Sequence, residues 1–222
     1  PEEHEKSKKR LEDLGLSIPC ITSASYLHIA DKKEQYINEA KEYIDVAEKF
    51  GIPYVRVLGD TDPQPGEDVD VRQVTESLKI VAEYASNKNV TVLLETNGVF
   101  ACSNTIKDVV QEINSESVGI LWDIHHPYRF MKEPIAQTYE TLKPYIKHIH
   151  IKDSVLEQGA IRYKMMGEGD IPIEECLTLL KQDGYEGFIS LEWVKRWYSD
   201  LEEPGIVFMQ FKNFIRDLWA RI

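Results

Sequence analysis

Four acidic or imidazole side chains, Glu95, Asp123, His150 and Glu192, each stand at or near the end of a short apolar segment. Side chains alternate faces along a strand. In Thr91–Asn97, Leu93, Glu95 and Asn97 share one face, and Val92 and Leu94 the other. In Val118–Asp123, Gly119, Leu121 and Asp123 oppose Val118, Ile120 and Trp122. In His148–Lys152, His148, His150 and Lys152 oppose the isoleucines, and in Phe188–Trp193, Ser190 and Glu192 oppose Ile189, Leu191 and Trp193. Three carboxylates meeting at one point repel unless a cation or protons neutralise them. Three carboxylates and one imidazole form a hard, oxygen-rich set. It suits one divalent ion, Mn²⁺ first, with Mg²⁺, Co²⁺ and Zn²⁺ as alternatives.

The elements that must position these groups alternate. Expected strands are 17–22, 54–58, 91–96, 118–123, 146–152 and 188–192, with a short seventh near 163–166. Expected helices are 3–14, 33–50, 69–86, 105–113, 134–142, 173–183 and 204–220. Gly15, Gly51 and Gly184 follow three of the helices as left-handed caps, and Asp170 precedes 173–183 as a helix start. Strict alternation of buried strand and helix predicts a parallel sheet covered by helices.

The expected fold class is α/β, a TIM (β/α)8-type barrel. Counting gives about seven units, and the chain opens on a helix, so the first β-strand is expected to be missing from this chain. The expected organisation is a single (β/α) barrel domain over 1–222, N-terminally incomplete. An open doubly wound sheet is the alternative, but it more often brings a Gly-rich first turn, and none is present. In such barrels the C-terminal strand ends carry the active site, so Glu95, Asp123, His150 and Glu192 would converge there.

Composition bounds the partners. The 222 residues carry a net charge of -12, which opposes nucleic acid and anionic membranes. No apolar run approaches the roughly 20 residues of a spanning helix. Cys20, Cys102 and Cys176 are scattered and odd in number, which fits a reduced, cytoplasmic setting better than a disulfide framework.

The stretches Leu94-Glu95-Thr96-Asn97-Gly98, Trp122-Asp123-Ile124-His125-His126, His148-Ile149-His150-Ile151-Lys152-Asp153, Gly167-Glu168-Gly169-Asp170 and Ser190-Leu191-Glu192-Trp193 occur in the order and spacing of one superfamily. Together they resemble the xylose-isomerase-like TIM barrels, the sugar phosphate isomerase/epimerase family. The resemblance covers nearly the whole chain. It implies Glu95, Asp123, His150 and Glu192 as metal ligands, Glu95 and Glu192 also as the acid/base pair, and His126 as a substrate contact. Endonuclease IV, a member with three zinc ions, has extra histidines where this chain has Ser23 and Arg56, and an Asp-x-His pair where it reads Ile161-Arg162-Tyr163. A trinuclear phosphodiesterase site is therefore not expected.

The resemblance implies a metal-dependent isomerase or epimerase of a sugar, sugar phosphate or polyol ketone, acting through an enediolate. A keto-polyol dehydratase, for instance of an inosose, is the second reading, and a non-catalytic sugar-binding barrel the third. The expected partner is a small sugar or polyol, with a homo-oligomer suggested by analogy. Two further cations face inward. Arg56 either holds a substrate phosphate or carboxylate or pairs with a barrel acid, and Lys152 either touches substrate or forms a salt bridge. Lys164 on the seventh strand is read as solvated, and His125 as support for its loop.

Overall fold

Six strands form one sheet in the order β1 (Cys20–Tyr26), β2 (Tyr54–Leu58), β3 (Thr91–Glu95), β4 (Val118–Asp123), β5 (Ile146–Ile151) and β8 (Ile189–Leu191), every neighbouring pair parallel. This computed structural model describes residues 2–222, so Pro1 lies outside the described residues. The order runs monotonically along the chain and never reverses, unlike a doubly wound sheet. Among the described residues seven α-helices accompany it: α1 (Glu2–Asp13), α2 (Lys33–Phe50), α3 (Val71–Ala85), α4 (Ser103–Ile113), α5 (Ile135–Leu142), α6 (Ile173–Gln182) and α7 (Pro204–Arg221).

The two faces of the sheet separate as strand periodicity requires. Val92, Leu94, Ile120, Trp122, Ile149 and Ile151 join the main apolar core together with Ile44 of α2, Leu78 of α3 and Ile106 of α4. The opposite face curls in on itself. Tyr54 of β2 and His148 of β5 lie 6.5 Å apart, ring centroid to centroid, although two strands separate them. Gly119 leaves no room for a side chain: a Cβ there would come within 2.7 Å of Lys147 and 3.1 Å of Leu93.

Helix ends follow from local chemistry. The Asp70 side chain accepts from the amides of Arg72 and Gln73, satisfying donors that the first turn of α3 leaves open. Gly15, Gly51 and Gly184 have φ of 62°, 68° and 69°, the left-handed geometry expected after their helices.

Three expectations need correction. The first observed strand is 20–26, not 17–22. Pro19 lacks an amide donor, and the pairing continues past Thr22 to Tyr26, after which the Leu27 amide donates to the Leu58 carbonyl. The expected seventh strand near 163–166 is not in the sheet. Residues 153–164 form an antiparallel hairpin, β6 (Asp153–Glu157) and β7 (Ala160–Lys164), and β5 pairs directly with β8. Gln158 and Gly159, both at positive φ, make the tight turn that bends the chain back. Finally, Asp170 does not cap α6; it meets Arg129 instead. Among the described residues the sheet remains open between β1 and β8.

Candidate metal and active site

The C-terminal strand ends bring together all four proposed ligands. Glu95 ends β3, Asp123 ends β4, His150 lies near the end of β5, and Glu192 directly follows β8. One ligand atom from each lies within 4.8 Å of all the others. The placement of Glu192 is backbone-driven, because its amide donates to the Ile151 carbonyl at 2.9 Å and extends the β5–β8 pairing by one residue.

Two cations enter the same cluster. Arg56 Nε lies 3.0 Å from Glu95 Oε2, and another of its nitrogens donates to the Ser23 carbonyl at 2.8 Å. The Lys152 ammonium touches both Asp123 Oδ2 and Glu192 Oε2. Thus Arg56 pairs with a barrel acid and Lys152 forms a double salt bridge. Two side chains therefore share the charge of these carboxylates, which is the pairing alternative that the sequence left open for each.

The electrostatics follow from this packing. Burial pushes the Glu95 carboxyl up, but Arg56 and His150 outweigh it and hold the pKa at about 2. Burial likewise opposes ionisation of Glu192, yet Lys152, His150 and His126 hold it well below the usual carboxylate range. Burial raises Asp123, with Glu192 and Glu95 adding to the rise against His126 and Lys152. Burial disfavours charge on His150, but the surrounding Glu95, Glu192 and Asp123 win and draw its pKa upward.

That field and the donor set fit a divalent ion. A pocket that favours a proton on a buried imidazole also favours a cation beside it. His150 Nδ1 is buried with no hydrogen-bond partner, 3.5 Å from Glu95 Oε1. Three carboxylates and an imidazole are the ligands that hard or borderline divalent ions take.

His126 is fixed by its neighbour. Its Nδ1 lies 2.9 Å from the Thr96 carbonyl, which can only accept, so Nδ1 carries the proton. Burial lowers the His126 pKa against the pull of Asp123. The neutral ring therefore turns an accepting Nε2 toward the cluster, 3.7 Å from Asp123 Oδ2. His125 supports the loop as expected: its amide donates to Asp123 Oδ1 at 2.9 Å, and its Nε2 meets Ser154 Oγ at 2.9 Å. With Asp123 and His126 it makes a second close grouping of possible ligands. Lys164 lies on the hairpin, 3.8 Å from Glu157, away from the four ligands' salt bridges.

Several supporting residues escaped the sequence reading. Thr96 Oγ1 donates to the Asp123 carbonyl and accepts from the Asp123 amide, which ties β3 to β4 at the site. Asp153 accepts from the amides of Ser154, Gly167, Gly169 and Ile171. A Cβ on Gly169 would come within 2.0 Å of that carboxylate, so the close approach demands glycine. The signal was present as Asp153 followed by Gly167-x-Gly169, but only folding reveals that they meet. Tyr163 of the hairpin stacks on His125 with centroids 5.7 Å apart, and Tyr198 lies 5.0 Å beyond it.

Comparison with known proteins agrees with this geometry. The profile described as the xylose isomerase-like TIM barrel matches residues 1–208. The chain belongs to that family. It is 26% identical over 133 residues to a fructoselysine 3-epimerase of Escherichia coli O157:H7, a match covering 58% of this chain and 47% of the relative. The chain thus spans about half the length of that relative. It is 24% identical over 226 residues to the L-ribulose-5-phosphate 3-epimerase UlaE of Shigella sonnei, covering 94% of this chain and 75% of the relative. The solved structure of an L-ribulose 3-epimerase superposes with a TM-score of 0.81 at 16% identity, over 96% of this chain and 78% of that one. The barrel type expected from the sequence is therefore the fold, in the half-open form described above.

Proposed function

We propose that the protein is a divalent-metal-dependent isomerase or epimerase of a sugar or polyol ketone, acting by proton transfer through an enediolate. The observation that carries this reading is the convergence of Glu95, Asp123, His150 and Glu192 within 4.8 Å. The family and the two epimerase relatives point the same way.

Glu95, Asp123, His150 and Glu192 would hold the metal. When bound, it would supply Lewis-acid polarisation of the ketone and of the oxygen charge that grows on deprotonation. Glu192 and Glu95 are the acid/base pair. They arise from β8 and β3, so each can face a different side of a carbon lying between them. The Glu192 side chain is 26% exposed and that of Glu95 is 2% exposed. Glu192 is thus the carboxylate that an entering substrate meets first, and it removes the proton. Glu95, held ionised by Arg56, faces the other side of that carbon and relays to it a proton taken from water. His126, with its accepting Nε2, takes a hydrogen bond from a substrate hydroxyl; this role fits its neutral ring better than carrying oxyanion charge. Arg56 and Lys152 bound the substrate space through the carboxylates they hold.

The test is a panel of ketoses and a keto-inositol incubated with Mn²⁺-loaded protein in D₂O and followed by NMR. Deuterium appearing at the carbon beside the carbonyl without loss of water is the expected result. Loss of water would replace this reading with a dehydratase. No exchange with any member of the panel, by protein that holds metal, would favour a binding barrel.

A further inference from the structure

Lys152 stands where a metal would place its charge. Its side chain is 2% exposed, and its ammonium contacts Asp123 Oδ2 and Glu192 Oε2 together. Arg56 is committed elsewhere, to Glu95 and the Ser23 carbonyl. On Asp123 the other oxygen, Oδ1, already accepts from the His125 amide. A divalent ion gathering one atom from each of the four ligands therefore meets Lys152 at Asp123 and draws on the same Glu192 carboxylate. Ligand oxygens sit about 2.0–2.2 Å from such an ion. An ammonium bonded to the same oxygens would lie only about 4 Å from the ion, inside protein, where like charges repel far more than in water.

We propose that Lys152 is a tethered internal cation that competes with the divalent ion for Asp123 and Glu192, so that metal binding displaces its ammonium. This rests on the metal reading given above. Without the ion, Lys152 keeps two neighbouring carboxylates, Asp123 and Glu192, from repelling and holds them in ligand positions. With the ion, the ammonium gives up both oxygens. Lys152 is then a positioning residue that sets metal affinity. It directly follows β5, two residues after the proposed ligand His150.

The test compares the full chain with Lys152→Met after EDTA treatment and dialysis, titrating Mn²⁺ by calorimetry and by the loss of free-ion EPR signal. Lys152→Met is expected to bind Mn²⁺ about tenfold tighter or more, a modest share of the repulsion between like charges about 4 Å apart. Its Tm in EDTA falls below that of the wild type, and Mn²⁺ raises it by more. If the wild type binds Mn²⁺ and Lys152→Met binds it no tighter, the competition is overturned while the metal site stands. If neither binds Mn²⁺, the metal reading falls and takes this inference with it. A second measurement covers a variant that does not fold. In ¹⁵N-lysine-labelled wild type, the buried Lys152 ammonium should give a slowly exchanging NMR signal in EDTA that shifts or vanishes on saturation with Zn²⁺. An unchanged signal in Zn²⁺-bound protein overturns the displacement.

Discussion

Arg56 Nε lies 3.0 Å from Glu95 Oε2, and only 2% of the Glu95 side chain reaches solvent. Neighbouring parallel strands, β2 and β3, carry the two charges into the barrel interior. Removing Arg56 leaves the buried Glu95 charge with His150 as its remaining compensation. Arg56→Met should therefore destabilise the protein by about 3–5 kcal/mol, read by urea denaturation at pH 7. The pH dependence follows from the sign of the shift. The pKa of Glu95 is about 2 in the folded protein against an ordinary 4.5, so its stabilisation is complete above 4.5 and drains away as pH falls toward 2. The gap between wild type and Arg56→Met should be widest above pH 5 and close through that window. A gap of constant size from pH 6 to pH 3 would contradict the pairing.

Glu95→Gln and Glu192→Gln keep the size of each side chain and remove its basicity. Each should lower the rate of deuterium exchange into an active ketose by about 10²-fold or more, the range for a positioned acid or base. The far-UV spectrum should not change. Full turnover by Glu192→Gln would remove it from the proton path.

His126 should be a neutral imidazole protonated at Nδ1 at pH 8. The Thr96 carbonyl at 2.9 Å requires the proton there, and burial keeps the ring from charging. Long-range ¹H–¹⁵N correlation on labelled protein distinguishes the two tautomers. A proton on Nε2 would reverse the role assigned to this ring, from acceptor to donor. His126→Phe should raise KM for an active ketose about tenfold, as expected for one lost hydrogen bond.

Asp153 should matter for stability more than its place outside the metal cluster suggests. Asp153→Ala leaves the amides of Ser154, Gly167, Gly169 and Ile171 without their carboxylate acceptor. Each unsatisfied buried donor costs about 1–3 kcal/mol, so a loss of about 3 kcal/mol or more is expected in chemical denaturation. Asp153→Asn, which keeps one oxygen, should lose less. Hydrogen exchange localised to residues 165–171 would identify the turn as the part released.

The sequence by itself determined which side chains stand at the strand ends and the class of fold. Period-2 alternation put Glu95, Asp123 and His150 on the face opposite Val92, Leu94, Trp122 and Ile149, because consecutive side chains on a strand must point apart. That rule needs no knowledge of what lies across the barrel, so the inward placement of these three side chains was legible. Tertiary structure decided everything that depends on partners distant in the chain. Lys152 and Glu192 are 40 positions apart, yet one ammonium joins Glu192 to Asp123. Arg56 had two open roles until the curl of the sheet set it against Glu95. Tyr163 read as a barrel strand until the turn at Gln158 and Gly159 folded it into a hairpin, because apolar alternation cannot tell a parallel partner from an antiparallel one. Charge balance in the site is likewise a sum over neighbours in space, and the fold alone brought those neighbours together.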